Sequence, residues 1–227
     1  MEEDFIRHLL QNTPMEFPPS SLDWETHPSL SSISTLHELL GEDPNLTVDH
    51  RDEGISKRST MTLKDFAQKI EKADPSESYY AKDIHIQQIS SLPPCKFPSL
   101  FQDDWIDSYY RYNYQGKDDY TFLYVGGPHS FTGLHFDVLC SYSVSYNIKG
   151  KKLWKLWSPS CQIHNRVASL SYDTMPSSEL EDQASMIILQ KEGETVFVPS
   201  GWYHTVQNLD PCVISINKNW LYLIYLL

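Results

Sequence analysis

Along the first 75 residues, apolar side chains recur at helical spacing in three short segments. The third segment shows the i, i+3, i+4, i+7 spacing behind a capping-box-like Thr62, with Leu63, Phe66, Ala67 and Ile70. The second spans 32–40 and ends at Gly41, a usual residue after a helix end. The first places four residues on one helical face: Phe5, Ile6, Leu9 and Leu10. We therefore predict a helical lead-in over residues 1–75.

From residue 120 onward the chain changes to short apolar or alternating runs separated by turn residues. These runs predict strands at 120–125, 134–139, 142–148, 153–157, 186–189, 195–198, 203–206 and 212–216. Glycine and proline mark turns between them, as at 126–128 and 199–201. Many short strands with such turns are typical of a sandwich or barrel. We predict a mainly β fold of the jelly-roll type with N-terminal helices, and an insertion at the polar stretch 158–183.

The composition narrows the class of protein. A length of 227 residues suits one domain over 1–227, with the lead-in at 1–75 and the barrel with its approach strands at 78–220. Aromatic residues make up 13%, which favours strands. Lysine and arginine number 18 against 30 acidic residues, a net charge of −12. Because phosphate binding requires clustered basic residues, we expect no nucleic-acid partner.

The chain ends carry information on its compartment. The first ten residues contain acids in a broken apolar pattern, which argues against a signal peptide. The apolar run 220–227 is far shorter than the roughly 20 residues of a spanning helix, so we expect no membrane span. The four cysteines show no C-x-x-C spacing, which argues against zinc-ribbon and thioredoxin-type sites. We expect a cytoplasmic protein, with the nucleus as a second compartment, and leave its oligomeric state open.

Two His-x-Asp triplets stand out, His50-Arg51-Asp52 and His135-Phe136-Asp137. Residues i and i+2 of a strand point to the same face, so either triplet offers an imidazole and a carboxylate to one metal ion. The first lies in a polar run and is interpreted as a solvated turn. The second lies in an apolar strand pattern, where a His and an Asp are costly to bury unless they bind a ligand or each other.

A third ligand and a candidate anion-binding residue follow later in the chain. His204 enters the strand after the turn at 199–201, and two histidines with one carboxylate bind one face of Fe(II), leaving three positions open. Lys151 and Lys152 adjoin a turn and apolar strand residues, and alternation turns one of them inward. An inward lysine requires an anionic partner, which a dicarboxylic co-substrate provides. The alternative is an exposed lysine on an edge strand.

The segment from Gly193 to Asn208 follows the pattern G-x5-P-x-G-x2-H-x3-N, which resembles the second cupin motif. Together with His135-Phe136-Asp137, it makes the chain similar to Jumonji-C domains, the branch of Fe(II)- and 2-oxoglutarate-dependent oxygenases built on a cupin barrel, or double-stranded β-helix. The resemblance covers residues 79–220. Within the family it points to lysyl hydroxylases of a translation termination factor.

The resemblance assigns roles to individual residues. It implies that His135, Asp137 and His204 hold Fe(II) as the catalytic centre, with O₂ and 2-oxoglutarate as co-substrates. It further implies a set of 2-oxoglutarate contacts, with Lys152 on the distal carboxylate beside Thr132 and Tyr80, Asn217 and Asn219 at the iron-bound end, and Asn147 and Ser143 as further candidates. Ile84 stands where the family usually has an aromatic residue. Relatives typically continue into C-terminal helices, and we expect this chain to lack them, as a truncated chain would.

The resemblance implies a protein hydroxylase with a protein or peptide substrate, in particular a lysyl hydroxylase of a release factor. N-methyl-lysine demethylation uses the same iron chemistry and is the second interpretation. A catalytically inactive binding module and a zinc or manganese cupin isomerase are further alternatives, the last disfavoured because its ligand set normally contains more histidine. The aromatic run 109–114 either lines a peptide groove or packs against the sheet.

Overall fold

The computed structural model describes residues 1–41, 43–52, 55–74, 76–89, 95–102, 104–114, 120–161 and 176–221. Within these ranges no helix has the length and apolar character needed to cross a membrane. The predicted insertion is described only at its two ends, and the final residues 222–227 lie outside the described part of the chain.

The lead-in combines helices with strands. Its helices and the later ones are α1 (Glu2–Gln11), α2 (Leu36–Leu40), α3 (Leu63–Lys72), α4 (Ile86–Ile89), α5 (Trp105–Asn113) and α6 (Ser178–Glu181). Its strands are β1 (Met15–Phe17), β2 (Glu25–Thr26), β3 (Asn45–Asp52) and β4 (Ile55–Thr62), and the approach strands β5 (Ser78–His85) and β6 (Cys95–Lys96) follow it. The strands β3 and β4 pair as an antiparallel hairpin. The predicted helical lead-in therefore also contains strands, with the hairpin at 45–62 as the largest departure.

Eight later strands form the barrel. They are β7 (Thr121–Gly126), β8 (Phe131–His135), β9 (Tyr142–Lys149), β10 (Lys152–Trp157), β11 (Met186–Gln190), β12 (Thr195–Val198), β13 (Tyr203–Asn208) and β14 (Val213–Trp220). The larger sheet has the order β1-β12-β9-β14-β7-β5-β3-β4, and the smaller has the order β11-β10-β13-β8. Alternation of consecutive strands between two antiparallel sheets is the jelly-roll arrangement, so the predicted fold is confirmed.

The pattern of strand β14 explains how the two faces of the larger sheet differ. Ile214 and Ile216 are fully buried in a cluster that includes Phe66 of α3, on the outer side of the sheet. The alternating residues Ser215 and Asn217 point to the opposite side, into the barrel. Lead-in helices therefore cover one face of the sheet with apolar contacts, and the other face supplies polar groups to the barrel interior.

Local signals in the lead-in place the helix ends correctly. The Thr62 hydroxyl accepts a hydrogen bond from the Asp65 amide, which caps α3 as predicted. Gly41 ends α2 with a φ of 92°, a conformation that favours glycine. In α1, Phe5 is buried, whereas Ile6 is 45% exposed, so only part of the predicted apolar face packs on the barrel.

Candidate metal centre

The two histidines of the predicted triad meet because β8 and β13 are neighbours in the smaller sheet. His135 ends β8, His204 is the second residue of β13, and the two are direct partners across the antiparallel pairing. Their ring centroids are 4.2 Å apart. One ligand atom each of His135, Asp137 and His204 lies within 4.8 Å of the others. The fold therefore brings together two imidazoles and one carboxylate at one end of the smaller sheet.

Backbone carbonyls orient both imidazole rings. His135 Nδ1 lies 2.9 Å from the Gly133 carbonyl oxygen, and His204 Nδ1 lies 3.1 Å from that of Trp202. Because a carbonyl oxygen only accepts, each Nδ1 carries the proton and each Nε2 keeps a free lone pair. Burial and the neighbouring His135 lower the pKa of His204 to about 4, so its ring is neutral at neutral pH. This is the tautomer and charge state that a metal ligand requires.

The backbone leaves the strand between the first two ligands. The predicted strand 134–139 ends at His135, so the prediction that His135 and Asp137 lie along one strand is wrong at Asp137. Asp137 has an extended backbone and precedes a short 3₁₀ turn, Val138–Cys140. Within that turn Leu139 has a φ of 57°, the left-handed region. The carboxylate is therefore placed by a tight turn at the barrel mouth rather than by strand alternation.

Two donors hold the Asp137 carboxylate. Ser143 Oγ donates to Oδ2 at 2.7 Å, and Asn219 Nδ2 donates to Oδ1 at 3.1 Å. Asn219 is itself fixed by a second bond to the Ser141 hydroxyl at 3.0 Å. The two hydrogen bonds therefore hold the Asp137 carboxylate toward the two histidines. Asn219 and Ser143, which the family resemblance associated with the cofactor, thus contact a predicted metal ligand directly.

Deeper in the barrel, Lys152 points inward and Lys151 is exposed. Lys152 is therefore the inward member of the two candidate lysines. Lys152 is 1% exposed, its ammonium donates to the Ser215 hydroxyl, and it lies 5.8 Å from the centre of the Tyr124 ring. Among the described residues, no carboxylate forms an ion pair with it. Burial lowers the pKa of Lys152 to about 7. A buried ammonium without a counter-ion is a place for an anion to bind.

The predicted neighbours of this lysine line the same end of the barrel. Tyr80 on β5 is buried, and its phenol lies close to Thr132 on β8 and to Asn208 on β13. Burial raises the pKa of Tyr80, so the phenol remains a hydrogen-bond donor at neutral pH. Gly126 on β7 packs so closely that a Cβ atom there would overlap Asn208, Ser130 and Tyr80. A side chain at position 126 would displace the predicted anion-binding residues.

Alternate residues of β14 connect the two ends of the cavity. Asn217 Oδ1 accepts from Ser145 Oγ at 2.9 Å and from Ser215 Oγ at 3.3 Å, and Ser215 in turn accepts from Lys152. One residue pair farther along, Asn219 binds the Asp137 carboxylate. Sequence reasoning missed Ser215, Ser145 and Tyr124. The period-two polar pattern of β14 was the signal that would have found Ser215.

Asn147, another predicted cofactor contact, has a different neighbour. Its side-chain nitrogen donates to the Gly150 carbonyl oxygen. Its side-chain oxygen, Oδ1, is buried without a hydrogen-bond partner among the described residues. Gly150 has a φ of 76°, and a Cβ there would press on the Cys212 carbonyl. Asn147 therefore holds the tight turn that leads into Lys152.

The mouth of the barrel beside the triad exposes apolar side chains. Phe136, Val138 and Leu139 are 39%, 54% and 68% exposed, within four residues of His135. The aromatic run 109–114, at the end of α5, is also largely on the surface, with Tyr112 89% exposed. Simple packing of this run against the sheet is therefore ruled out for Tyr112.

The described residues fit two ligands of opposite charge. Two imidazoles and a carboxylate form a donor set suited to Fe(II), with one face open. The unpaired ammonium of Lys152, with the hydroxyl groups of Tyr80 and Thr132, forms a donor set suited to a carboxylate. The two sets lie along one barrel interior and are joined by the polar residues of β14.

Comparison with known proteins agrees with this geometry. A family described as "Cupin-like domain" matches residues 31–222. The arginine-specific demethylase JMJ20 of Arabidopsis thaliana is 31% identical over 95% of this chain and 54% of its own length. The 2-oxoglutarate and iron-dependent oxygenase JMJD4 is 32% identical in Danio rerio, over 96% of this chain and 57% of that protein.

The human protein of the same name is 30% identical over 96% of this chain and 58% of its own length. The chain thus spans little more than half the length of these relatives.

Proposed function

The chain belongs to the family of cupin-like domains, in its Jumonji-C branch, and from that premise we propose that it is an Fe(II)- and 2-oxoglutarate-dependent dioxygenase acting on a protein. One observation carries the proposal: the same barrel interior holds three metal-ligand side chains and a buried lysine that has no counter-ion among the described residues. A metal-binding cupin of another class has no need for the lysine. A binding module without catalysis has no need for the metal ligands.

The chain's own residues would divide the work as follows. His135, Asp137 and His204 would hold Fe(II) on one face. Lys152 and Tyr80 would bind the distal carboxylate of 2-oxoglutarate, and burial of both excludes water from that contact. When bound, the metal with 2-oxoglutarate and O₂ supplies oxidation of an unactivated C–H bond, which no side chain provides.

Asn219 and Ser143 would keep the Asp137 carboxylate in place. The exposed apolar residues Phe136, Val138 and Leu139 flank the triad, so a substrate side chain reaching the metal would lie against them.

The proposed reaction is hydroxylation, and the proposed target is a lysine of a translation termination factor. This finer assignment rests on the motif resemblance to Jumonji domain-containing protein 4, a lysyl hydroxylase. The acidic net charge of −12 is compatible with a lysine-bearing, basic substrate. We place the reaction in the cytoplasm, where such a factor acts.

Demethylation is the second candidate, because similar proteins include one named arginine-specific demethylase and one named lysine-specific demethylase. Both reactions begin with oxidation of a C–H bond. They differ in the product, since hydroxylation adds one oxygen atom to the peptide and demethylation removes a methyl group as formaldehyde.

The test is Fe(II)-dependent conversion of 2-oxoglutarate to succinate by the full chain, with and without a release-factor fragment. We expect succinate to rise with the fragment, and His135→Ala to abolish it. His37→Ala is the matched control, because His37 is exposed on α2 and bonds only the Ser34 carbonyl among the described residues.

Mass spectrometry of the fragment then identifies the product. An added oxygen on lysine supports hydroxylation, and formaldehyde from a methylated peptide supports demethylation instead. Turnover of 2-oxoglutarate that does not increase with the fragment would support an oxygenase and would exclude the release factor as its substrate. Absence of turnover in a folded, iron-loaded chain would leave the binding-module interpretation.

A further inference from the structure

The second His-x-Asp triplet acquires a third ligand in the folded chain. His50 and Asp52 lie on β3, and Glu77 lies just before β5, the strand that pairs with β3. One ligand atom of each lies within 4.8 Å of the others, and His50 Nε2 lies 4.0 Å from Glu77 Oε1. Nothing in the proposed oxygenase reaction uses these residues. We propose that His50, Asp52 and Glu77 form a separate structural site for a divalent transition-metal ion of the Zn²⁺ type.

An aromatic ring holds the histidine in position. Its ring stacks on the buried Tyr79 ring, with centroids 4.4 Å apart and planes within 3°. His50 Nε2 is buried and makes no hydrogen bond with the described residues. A buried polar atom is normally satisfied, so this nitrogen, close to two carboxylates, calls for a ligand. The stacking removes the rotational freedom that a histidine would otherwise lose on binding a metal.

The two carboxylates can move to the distances that metal coordination requires. In tetrahedral coordination with bonds of about 2.0–2.2 Å, ligand atoms lie roughly 3.3–3.5 Å apart, so the group must contract by about 1 Å. Asp52 is exposed, so its side chain can change rotamer. Glu77 is half-buried and accepts hydrogen bonds of 3.4 Å from the Tyr79 hydroxyl and the Asp74 amide, and bonds of that length are weak enough to be exchanged for a metal ion. One fixed imidazole with two adjustable carboxylates gives three ligands, and water completes the shell.

The charges around the three ligands affect the affinity of the site for a metal ion. Asp52 and Glu77 together carry −2, and the exposed residues Lys57 and Lys69 oppose them. Lys57 is the direct cross-strand partner of His50, and Lys69 lies 5.7 Å from the centre of the Tyr79 ring. Neither lysine forms an ion pair with these two carboxylates among the described residues. The site therefore differs from the barrel triad in having a nearly neutral and open surrounding, which suits a structural ion of moderate affinity.

The position of the site indicates what it does. It joins the end of β3 to the residue that precedes β5, and β5 carries Tyr80 next to Tyr79. A bound ion would fasten the outer hairpin of the larger sheet without touching the barrel interior. Its loss is therefore expected to affect stability more than turnover.

The experiment uses Co²⁺ as the probe, titrated into the full chain and followed by visible absorption. We expect two Co²⁺ per wild-type chain and one in His135→Ala, which isolates the second site. In that background Glu77→Gln, an isosteric change, should weaken Co²⁺ binding at least tenfold, and so should Asp52→Asn. His37→Ala should leave it unchanged, and Lys69→Gln should tighten it about threefold because an opposing charge is removed.

A second readout covers stability. Zn²⁺ at about a hundredfold excess over its dissociation constant should raise the melting temperature of His135→Ala by roughly 5 °C, and Glu77→Gln should abolish the shift. A stoichiometry of one in wild type, or equal affinity in Glu77→Gln and its parent, would overturn the proposal. Because the readouts are binding and melting, either result is independent of whether the chain is an oxygenase.

Discussion

The two His-x-Asp triplets have the same spacing and very different surroundings. At His135 and Asp137, a second histidine arrives from the paired strand, both rings are fixed by backbone carbonyls, and the carboxylate accepts two hydrogen bonds. At His50 and Asp52, the third ligand is a glutamate from outside the strand, and Asp52 is exposed. Among the described residues, the polar side chains of β14 connect the first triplet to the buried Lys152.

The difference shows that spacing supplies candidate ligands and the surrounding elements decide their chemistry. An oxygenase centre requires open metal positions beside a site for the co-substrate. The barrel provides the site through the buried Lys152, whereas the two lysines named beside the hairpin carboxylates, Lys57 and Lys69, are exposed. The following predictions test this contrast.

The largest effect is expected from Lys152→Met. Removing one partner of a buried charged contact costs several kcal/mol, so 2-oxoglutarate affinity should fall at least about a hundredfold. Lys151→Met is the matched control, because that neighbouring lysine is exposed and should be neutral. Titration calorimetry of 2-oxoglutarate against the Mn²⁺-loaded chain measures both. Unchanged affinity in Lys152→Met would mean that the lysine is not the anion-binding residue and would remove the contrast between the triplets.

A second prediction concerns the support of Asp137. Asn219→Ala removes one of the two donors to this carboxylate, and losing such a partner typically costs 10–100-fold in metal affinity. We expect a loss of about tenfold at the barrel site, measured by Co²⁺ titration. Asn113→Ala, on the exposed end of α5, should have no effect. Equal loss at the hairpin site would show that the substitution acts on folding rather than on Asp137.

The sequence allowed much of the barrel centre to be predicted because His135 and His204 lie in regular strands with strong apolar neighbours. The strands and the arrival of His204 follow from alternation and turn residues, whereas the choice of Lys152 over Lys151 came from the family resemblance. The hairpin could not be predicted in this way. Strand β4 is exposed over most of its length, so no apolar face marks it, and His50 was interpreted as part of a solvated turn.

Other features depend on tertiary contacts that no local pattern contains. Glu77 follows His50 by 27 residues in the chain. It reaches His50 only because β3 pairs with β5. Asp137 leaves the strand because a left-handed residue, Leu139, allows a 3₁₀ turn without glycine. Asn147 has the residue type and position of a cofactor contact, yet its amide binds the Gly150 carbonyl. In each case the residue type was informative and the partner was not predictable.

The third prediction is a pH dependence. The pKa of Lys152 is lowered to about 7 by burial, so between pH 7 and the ordinary lysine value the unfolded chain binds more protons than the native chain. Stability without 2-oxoglutarate should therefore rise with pH across this window, by about 1–2 kcal/mol between pH 7 and 9. Tyr80 and Tyr124 have raised pKa values and stay protonated there.

Denaturant unfolding at a series of pH values measures the contribution of Lys152 to the free energy of unfolding, as the difference between wild type and Lys152→Met. Saturating 2-oxoglutarate should flatten it, because an anion stabilises the ammonium. A difference that does not change with pH would mean that the buried lysine already has a counter-ion. The barrel would then resemble the hairpin, where positive and negative charges balance.

The smallest effect is expected from Tyr79→Phe, which tests what holds the hairpin histidine. The substitution keeps the stacked ring under His50 and removes the hydroxyl, which donates to Glu77 Oε1 at 3.4 Å. A hydrogen bond of that length contributes little, so Co²⁺ affinity in the His135→Ala background should change less than threefold. Tyr112→Phe is the control, because that ring is 89% exposed. A tenfold loss would show that the hydroxyl, rather than the stacked ring, organises the site, and the hairpin would then depend on polar support as Asp137 does in the barrel.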